Sequence, residues 1–279
     1  DFEGGFFVLC TRNGRIKRVN ISEFASMRAN GLIAMPLEED DRLQWVRRTS
    51  GNDRLMLVTA HGRALLFEER EVRPMGRAAV GVRAIRLQEG DYLAGVDVIN
   101  DEVTELLIVT ARGYSKRVSL AEYPLKRRFG TGVRTIGAKA IERFGPIVAA
   151  NALRPNDEVT FITRNGMTLR TRADSIRLSG RAAQGVRALR VEAGDQVVSV
   201  AVVEASPARS RRVANGRGSG AQLSLPQAAG EQPISPNGDS AEADYLMAVE
   251  DKLEGDSADD EADVDAAGNA ERDDASESE

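Results

Sequence analysis

The sequence predicts an all-β fold of the propeller type, a β-pinwheel of four-stranded blades followed by a disordered acidic tail. Three observations predict it. An apolar run, a Thr, two variable residues and a Gly recur four times: Phe7-Val8-Leu9-Cys10-Thr11-Arg12-Asn13-Gly14, Leu55-Met56-Leu57-Val58-Thr59-Ala60-His61-Gly62, Leu106-Leu107-Ile108-Val109-Thr110-Ala111-Arg112-Gly113 and Val159-Thr160-Phe161-Ile162-Thr163-Arg164-Asn165-Gly166. The turn glycines lie 48, 51 and 53 residues apart, a period that marks a repeat architecture. Helical periodicity is almost absent, and four short strands per unit set around an axis let neighbouring blades complete each other's cores. A sandwich needs no such period.

Each unit opens with its apolar run as the first strand. Asn13-Gly14 and Asn165-Gly166 then predict type I′ hairpin turns, in which both central residues take positive φ, with His61-Gly62 and Arg112-Gly113 as tolerated versions. The second strand leaves with cations: Arg15, Lys17 and Arg18 in the first unit, Arg63 in the second, Lys116 and Arg117 in the third, Arg170 and Arg172 in the fourth. A loop leads to a second fixed glycine at Gly31, Gly81, Gly132 and Gly185, which follows the turn glycine by 17, 19, 19 and 19 residues. That loop carries Arg73 and Arg77, then Lys126, Arg127 and Arg128, then Arg177 and Arg181.

Beyond the second glycine, apolar and basic residues alternate with the period of a half-buried strand. The third strand is therefore read at Val82-Arg83-Ala84-Ile85-Arg86-Leu87, Val133-Arg134-Thr135-Ile136 and Val186-Arg187-Ala188-Leu189-Arg190-Val191, with Leu32-Ile33-Ala34-Met35 as the first unit's counterpart. An acidic turn closes it at Asp41, Asp91 and Asp195, where the third unit has Arg143-Phe144-Gly145. Fourth strands follow from Leu43, Tyr92, Ile147 and Gln196, which bounds the repeats near 5–50, 53–100, 104–154 and 157–203.

From Glu204 the pattern stops. Residues 204–238 have the Ser, Pro, Gly, Ala and Gln content of a flexible linker, and residues 239–279 hold 17 Asp/Glu against Lys252 and Arg272, too charged to build a core. Tyr245, Leu246, Val249 and Leu253 are spaced for a short amphipathic helix, but the composition favours disorder. Residues 1–203 hold 32 Lys/Arg against 24 Asp/Glu, and residues 204–279 hold 6 against 19. A basic body joined to an acidic tail fits a body that binds a polyanion and a tail that competes with it; a merely solubilising tail is the plainer alternative.

Most enzymatic constellations are excluded. With His61 and Cys10 alone there is no metal cluster, no Cys/His nucleophile, no Ser-His-Asp arrangement and no intramolecular disulfide, and no Gly-rich phosphate loop is present. His61 fills a hairpin turn, and the carboxylates of Glu39-Asp40-Asp41 and Asp101-Glu102 read as solvated turn charges. A reducing compartment is expected, no apolar segment reaches the roughly 18 residues of a membrane span, and the start at Asp1 is read as a fragment continuing upstream. The positive signal is the belt of cations at equivalent positions, which suits a curved polyphosphate backbone without reading base edges.

The segment Arg73-Pro74-Met75-Gly76-Arg77-Ala78-Ala79-Val80-Gly81-Val82-Arg83-Ala84-Ile85-Arg86-Leu87-Gln88-Glu89-Gly90-Asp91 resembles the C-terminal domain of bacterial DNA gyrase A subunits. The likeness extends through Gly113-Tyr114-Ser115-Lys116-Arg117-Val118-Ser119-Leu120-Ala121-Glu122-Tyr123-Pro124, Asn165-Gly166, Gly180-Arg181-Ala182-Ala183-Gln184-Gly185-Val186 and the acidic tail. The resemblance implies a β-pinwheel whose basic outer edge binds, bends and wraps double-stranded DNA within an ATP-dependent type II topoisomerase. It also implies an A2B2 assembly, formed with B subunits and with a second copy of the A chain through parts outside this one. A cytoplasmic, nucleoid-associated setting in a bacterium, with no membrane, belongs to the same expectation. No cofactor is expected in this chain; ATP and magnesium fall to the partner subunit.

The family's ring has about six blades, so the four here match its last four and earlier blades are expected upstream. The heptapeptide that marks gyrase, a Gln followed by basic residues and paired glycines, is absent, which leaves membership of the topoisomerase IV-like branch open. None of Tyr92, Tyr114, Tyr123 or Tyr245 sits in the context of the family's catalytic tyrosine. A propeller scaffold for protein partners is the rival reading, but it would need apolar anchors on a face.

The charge split generates one test. The linker's typical span is about 30–35 Å, enough to bring the tail to the basic body. Deleting residues 239–279 should tighten duplex DNA binding at low salt and leave it unchanged at high salt, as measured by a salt titration of both chains.

Overall fold

The computed structural model describes residues 4–26 and 31–204. In chain order the strands are β1 (Phe6–Thr11), β2 (Arg15–Asn20), β3 (Leu43–Thr49), β4 (Arg54–Thr59), β5 (Arg63–Glu68), β6 (Val82–Arg83), β7 (Leu93–Ile99), β8 (Glu105–Thr110), β9 (Tyr114–Ser119) and β10 (Val133–Arg134). Helix α1 (Ala138–Phe144) precedes β11 (Ile147–Leu153), β12 (Glu158–Thr163), β13 (Thr168–Arg172), β14 (Val186–Arg187) and β15 (Val197–Val203). They form a four-bladed propeller with strand orders β3-β1-β2-β6, β10-β5-β4-β7, β11-β8-β9-β14 and β13-β12-β15. The linker and acidic tail read from residue 204 onward lie, Glu204 apart, outside the described residues.

The apolar runs are continuous because a blade buries both of its faces. On β4, Leu55 and Leu57 point into the core shared with the first blade, while Met56 and Val58 point into the core shared with the third. A third core joins Leu107 and Val109 of β8 to Val159 and Phe161 of β12. Of the four first strands only β12 alternates, since no following blade covers the far face of the last blade among the described residues, and there Thr160 and Ile162 are half-buried. Trp45 of β3 packs inside the first of these cores.

The fixed Thr and Gly explain each other. Gly14, Gly62, Gly113 and Gly166 have φ between +79° and +89°, whereas Asn13, His61, Arg112 and Asn165 do not take positive φ, so the expected type I′ turns are not formed. Instead the glycine N–H donates to the Thr carbonyl three residues back, at 3.1, 3.1, 3.0 and 3.1 Å in the four repeats. This is the turn in which a left-handed glycine completes a three-residue hairpin loop. The hydroxyls of Thr11, Thr59 and Thr163 accept the N–H of the residue after the glycine, at 3.0, 3.1 and 3.2 Å. The acidic turns serve the same loop, because Asp41, Asp91 and Asp195 accept from the backbone N–H of Asn13, His61 and Asn165 at 3.0, 3.0 and 3.1 Å.

The expected third strands need two corrections. They are only two residues long, and each belongs to the preceding blade: β6 pairs with β2, β10 with β5 and β14 with β9. The counterpart at residues 32–35 forms no strand, and the last blade has three strands, with no further repeat among the described residues to supply a fourth. The entry into each short strand is closely packed. Gly81, Gly132 and Gly185 bring the donated chain so close to its acceptor that a Cβ there would lie 2.6, 2.5 and 2.7 Å from the carbonyl oxygens of Ile16, Ala64 and Ser115.

That approach is testable. Gly90 has a similar positive φ with nothing within 4 Å of a built Cβ, so Gly90→Ala should cost only about 1 kcal/mol of backbone strain. Gly81→Ala adds the clash with Ile16 and should cost at least twice that, about 2–4 kcal/mol, by urea denaturation at unchanged m.

Candidate nucleic-acid interface

The outer edge of the first three blades is built from the donated segments 72–83, 123–134 and 176–187. Each segment first bridges the second strand of the blade before it, at Arg18–Pro74, Leu66–Leu125 and Arg117–Leu178. Backbone N–H groups of Met75, Lys126 and Ser179 donate to the carbonyls of Arg18, Leu66 and Arg117 at 2.8, 2.8 and 2.9 Å. A carboxylate from the turn after the second strand then accepts the N–H of the sixth residue of each segment: Glu23 from Arg77, Glu71 from Arg128 and Glu122 from Arg181.

Two lysines fasten these loops from inside. Lys17 has no exposed surface, and its ammonium donates to the carbonyls of Gly76, Arg77 and Ala79 at 3.3, 2.7 and 3.0 Å. Lys116, 1% exposed, donates in the same way to Gly180, Arg181 and Ala183 at 3.0, 2.6 and 2.7 Å. Three protons meet three acceptors. Burial pulls Lys116 down to about 8 and lowers Lys17 as well. In the second blade the equivalent residue is Leu65, against which Gly130 packs.

The cations expected to face a ligand therefore divide. Lys17 and Lys116 are interior fasteners, a correction to their reading as surface cations, and so is Arg18, which is buried 3.8 Å from Glu69 with its guanidinium over the Phe6 ring. Arg117 is held by Glu105 at 2.6 Å and by the carbonyls of Ile176 and Asp174. Arg15, Arg170 and Arg172 are paired with Glu38, Glu158 and Asp174, and Arg63 is half-buried at the start of β5. Their common feature is a place on a second strand, which in the first three blades lies between its hairpin partner and a donated segment, whereas β13 is the edge of the last blade and leaves Arg170 and Arg172 exposed.

Arg73, Arg77, Lys126, Arg127, Arg128, Arg177 and Arg181 do come together on the outer edge, and none of them is ion-paired among the described residues. Arg128 and Arg181 also clasp neighbouring blades, donating to the carbonyls of Arg83 and Arg134 at 2.6 and 3.0 Å. The structure adds Arg83, Arg134 and Arg187, exposed on β6, β10 and β14, which were not among the expected site residues. Their signal was the repeated Gly-Val-Arg at 81–83, 132–134 and 185–187. Tyr123 is a core residue whose hydroxyl meets that of Thr135 at 2.5 Å, and burial pushes its phenol up to about 12. No helix among the described residues is long and apolar enough to cross a membrane.

The family described as DNA gyrase C-terminal domain, beta-propeller matches residues 6–50, 53–100, 104–160 and 157–204, one segment per blade. The DNA gyrase A subunit of Staphylococcus epidermidis is 40% identical over 202 residues, 72% of this chain and 22% of the relative. The Staphylococcus aureus protein of the same name is 39% identical over 198 residues, 71% of this chain and 22% of its own length. The chain thus spans about a fifth of these relatives. Among solved structures, the C-terminal domain of a DNA topoisomerase IV aligns with a TM-score of 0.69 at 31% identity, covering 73% of this chain and 64% of that one. A DNA gyrase A C-terminal domain aligns with a TM-score of 0.66 at 27% identity, covering 72% and 67%.

The two classes of cation predict opposite mutational behaviour. Lys116→Met leaves three carbonyls without their donor and should cost about 2–4 kcal/mol of stability. Lys126→Met, on the exposed edge, should change stability by less than about 0.5 kcal/mol. Urea denaturation of both variants checks this.

Proposed function

Because the chain belongs to the DNA gyrase C-terminal domain, beta-propeller family, we propose that its outer edge binds duplex DNA along the phosphate backbone and bends it around the blades. The observation that carries this reading is the threefold repetition of edge cations, unpaired among the described residues, on backbone fastened to the preceding blade. Arginines held this way meet phosphates without first becoming ordered, and no helix among the described residues is placed to enter a groove and read bases. The chain then serves an ATP-dependent type II topoisomerase as its DNA-positioning region, cytoplasmic and nucleoid-associated, and is not catalytic alone. Assembly as A2B2, ATP and magnesium are assigned to parts outside this chain. The 40% identity to gyrase A subunits favours gyrase; the alignment with a topoisomerase IV domain supports that enzyme as the second reading.

Duplex binding should be sequence-tolerant, with a log-log salt slope of about −5 if six phosphates are contacted. Lys126→Glu with Arg127→Glu should weaken binding about tenfold or more at low salt without altering the thermal unfolding midpoint, as read by fluorescence anisotropy and circular dichroism. A slope near zero, or a strong preference for one sequence at fixed salt, would overturn the reading.

A further inference from the structure

The third repeat departs from the others at its hairpin turn. Where the other repeats place Asp41, Asp91 and Asp195, it has α1, and the backbone N–H of Arg112 donates to the carbonyl of Phe144 at 3.0 Å. A carboxylate is thereby replaced by a neutral acceptor. The same change lays the Phe144 ring on Tyr114, with centroids 3.7 Å apart and planes 19° from parallel. Guanidiniums stand over both members of the stack, Arg143 at 5.2 Å from the Phe144 centroid and Arg187 at 5.3 Å from that of Tyr114. Arg187 also donates to the Tyr114 hydroxyl at 3.0 Å, and Arg112 to the Arg143 carbonyl at 2.6 Å.

These groups, with Arg190, line a cleft of about 530 Å³ between the β8–β9 turn, the end of α1 and residues 187–195. None of the four guanidiniums has a carboxylate partner among the described residues. Two acids also line the cleft. The Asp195 carboxylate is engaged by the backbone N–H groups of Asn165 and Gln196, and Glu192 is exposed. The matching place in the first blade carries Arg83 and Arg86, but it holds only about 240 Å³ and its Arg15 is paired with Glu38.

We propose that this cleft is a phosphate-binding site for an anion carrying at least two linked phosphates. Planar, always-charged guanidiniums suit phosphate oxygens, and several converging on one cleft favour linked phosphates over a single carboxylate. The aromatic stack fixes the arginines, and with a guanidinium over each of its members it offers no free face to a nucleobase. The phosphates belong either to a free polyphosphate or to a nucleic-acid strand. The site does not depend on the outer edge binding duplex.

Two probes separate the sources, both titrated into the full chain at low salt: inorganic tripolyphosphate by calorimetry and a 20-mer duplex by anisotropy. The test variant is Arg143→Ala with Arg190→Ala, both exposed side chains, and the charge-matched control is Arg86→Ala with Arg164→Ala. For a free-polyphosphate site, tripolyphosphate affinity falls at least tenfold in the test variant and less than twofold in the control. For a nucleic-acid site, tripolyphosphate binds too weakly to measure, while duplex affinity falls at least threefold more in the test variant than in the control. If the test variant and the control are equal with both probes, the proposal is overturned, whatever Lys126→Glu with Arg127→Glu does to duplex binding.

Discussion

Three backbone carbonyls converge on one ammonium at Lys17 and again at Lys116, and through them a loop of one repeat is fastened to the blade before it. A loop on the outside of a sheet has polar backbone groups that a β-ladder would otherwise satisfy, and the donated strand is only two residues long. The lysine supplies what the ladder does not. Burying an ammonium is tolerable here because every proton finds an oxygen, whereas an ammonium with unmet protons would carry its full desolvation cost. In the second blade the loop takes another path, with Phe129 at φ 65° and Gly130 against Leu65, and an apolar side chain suffices.

The exchange sets which charges reach solvent. In the first three blades a second strand lies between its hairpin partner and the donated segment, so cations such as Lys17, Lys116 and Arg117 turn inward to carbonyls and carboxylates. The donated segment is outermost, so its cations turn outward. Arg18 and Arg73 therefore have opposite fates although their backbones lie side by side at the Arg18–Pro74 bridge. Glu23, Glu71 and Glu122 are spent on backbone N–H groups beneath the edge, which leaves the guanidiniums above them without acidic partners among the described residues.

Much of this was legible and some could not be. The first and inner strands were readable because runs such as Leu106-Leu107-Ile108-Val109 are buried on both faces, and the turn glycines because their positive φ excludes other residues. The turn type was misread because the dipeptide Asn13-Gly14 is compatible with two hairpins, and the choice is made by the Thr11 hydroxyl and the distant Asp41. Lys17 and Lys116 were misread for a different reason. Alternation tells an exposed face from a buried one only where one face is exposed, and β2 and β9 have none to give. The destination of the third strand is likewise a fact about the next repeat, which no pattern within one unit records.

If the outer edges engage duplex as proposed, the fold also limits how bending can arise. Smoothly curving 20–30 base pairs by 40–90° costs on the order of 1–6 kcal/mol, more than one exposed ion pair supplies, which is about 0–1 kcal/mol. A single edge cation could hold a straight duplex but not bend it. Several edges must act together, and that requires their spacing to be fixed before the ligand arrives. Arg128 and Arg181 meet this need, since each donates to the neighbouring blade's carbonyl, Arg128 giving its Nε–H to the Glu71 carbonyl as well, and both leave further N–H groups at the outer edge. The clasp that joins one blade edge to the next is thus made by the same side chains that would face phosphate, so curvature and charge are set by one feature of the sequence, the cations that follow each exchanged crossing.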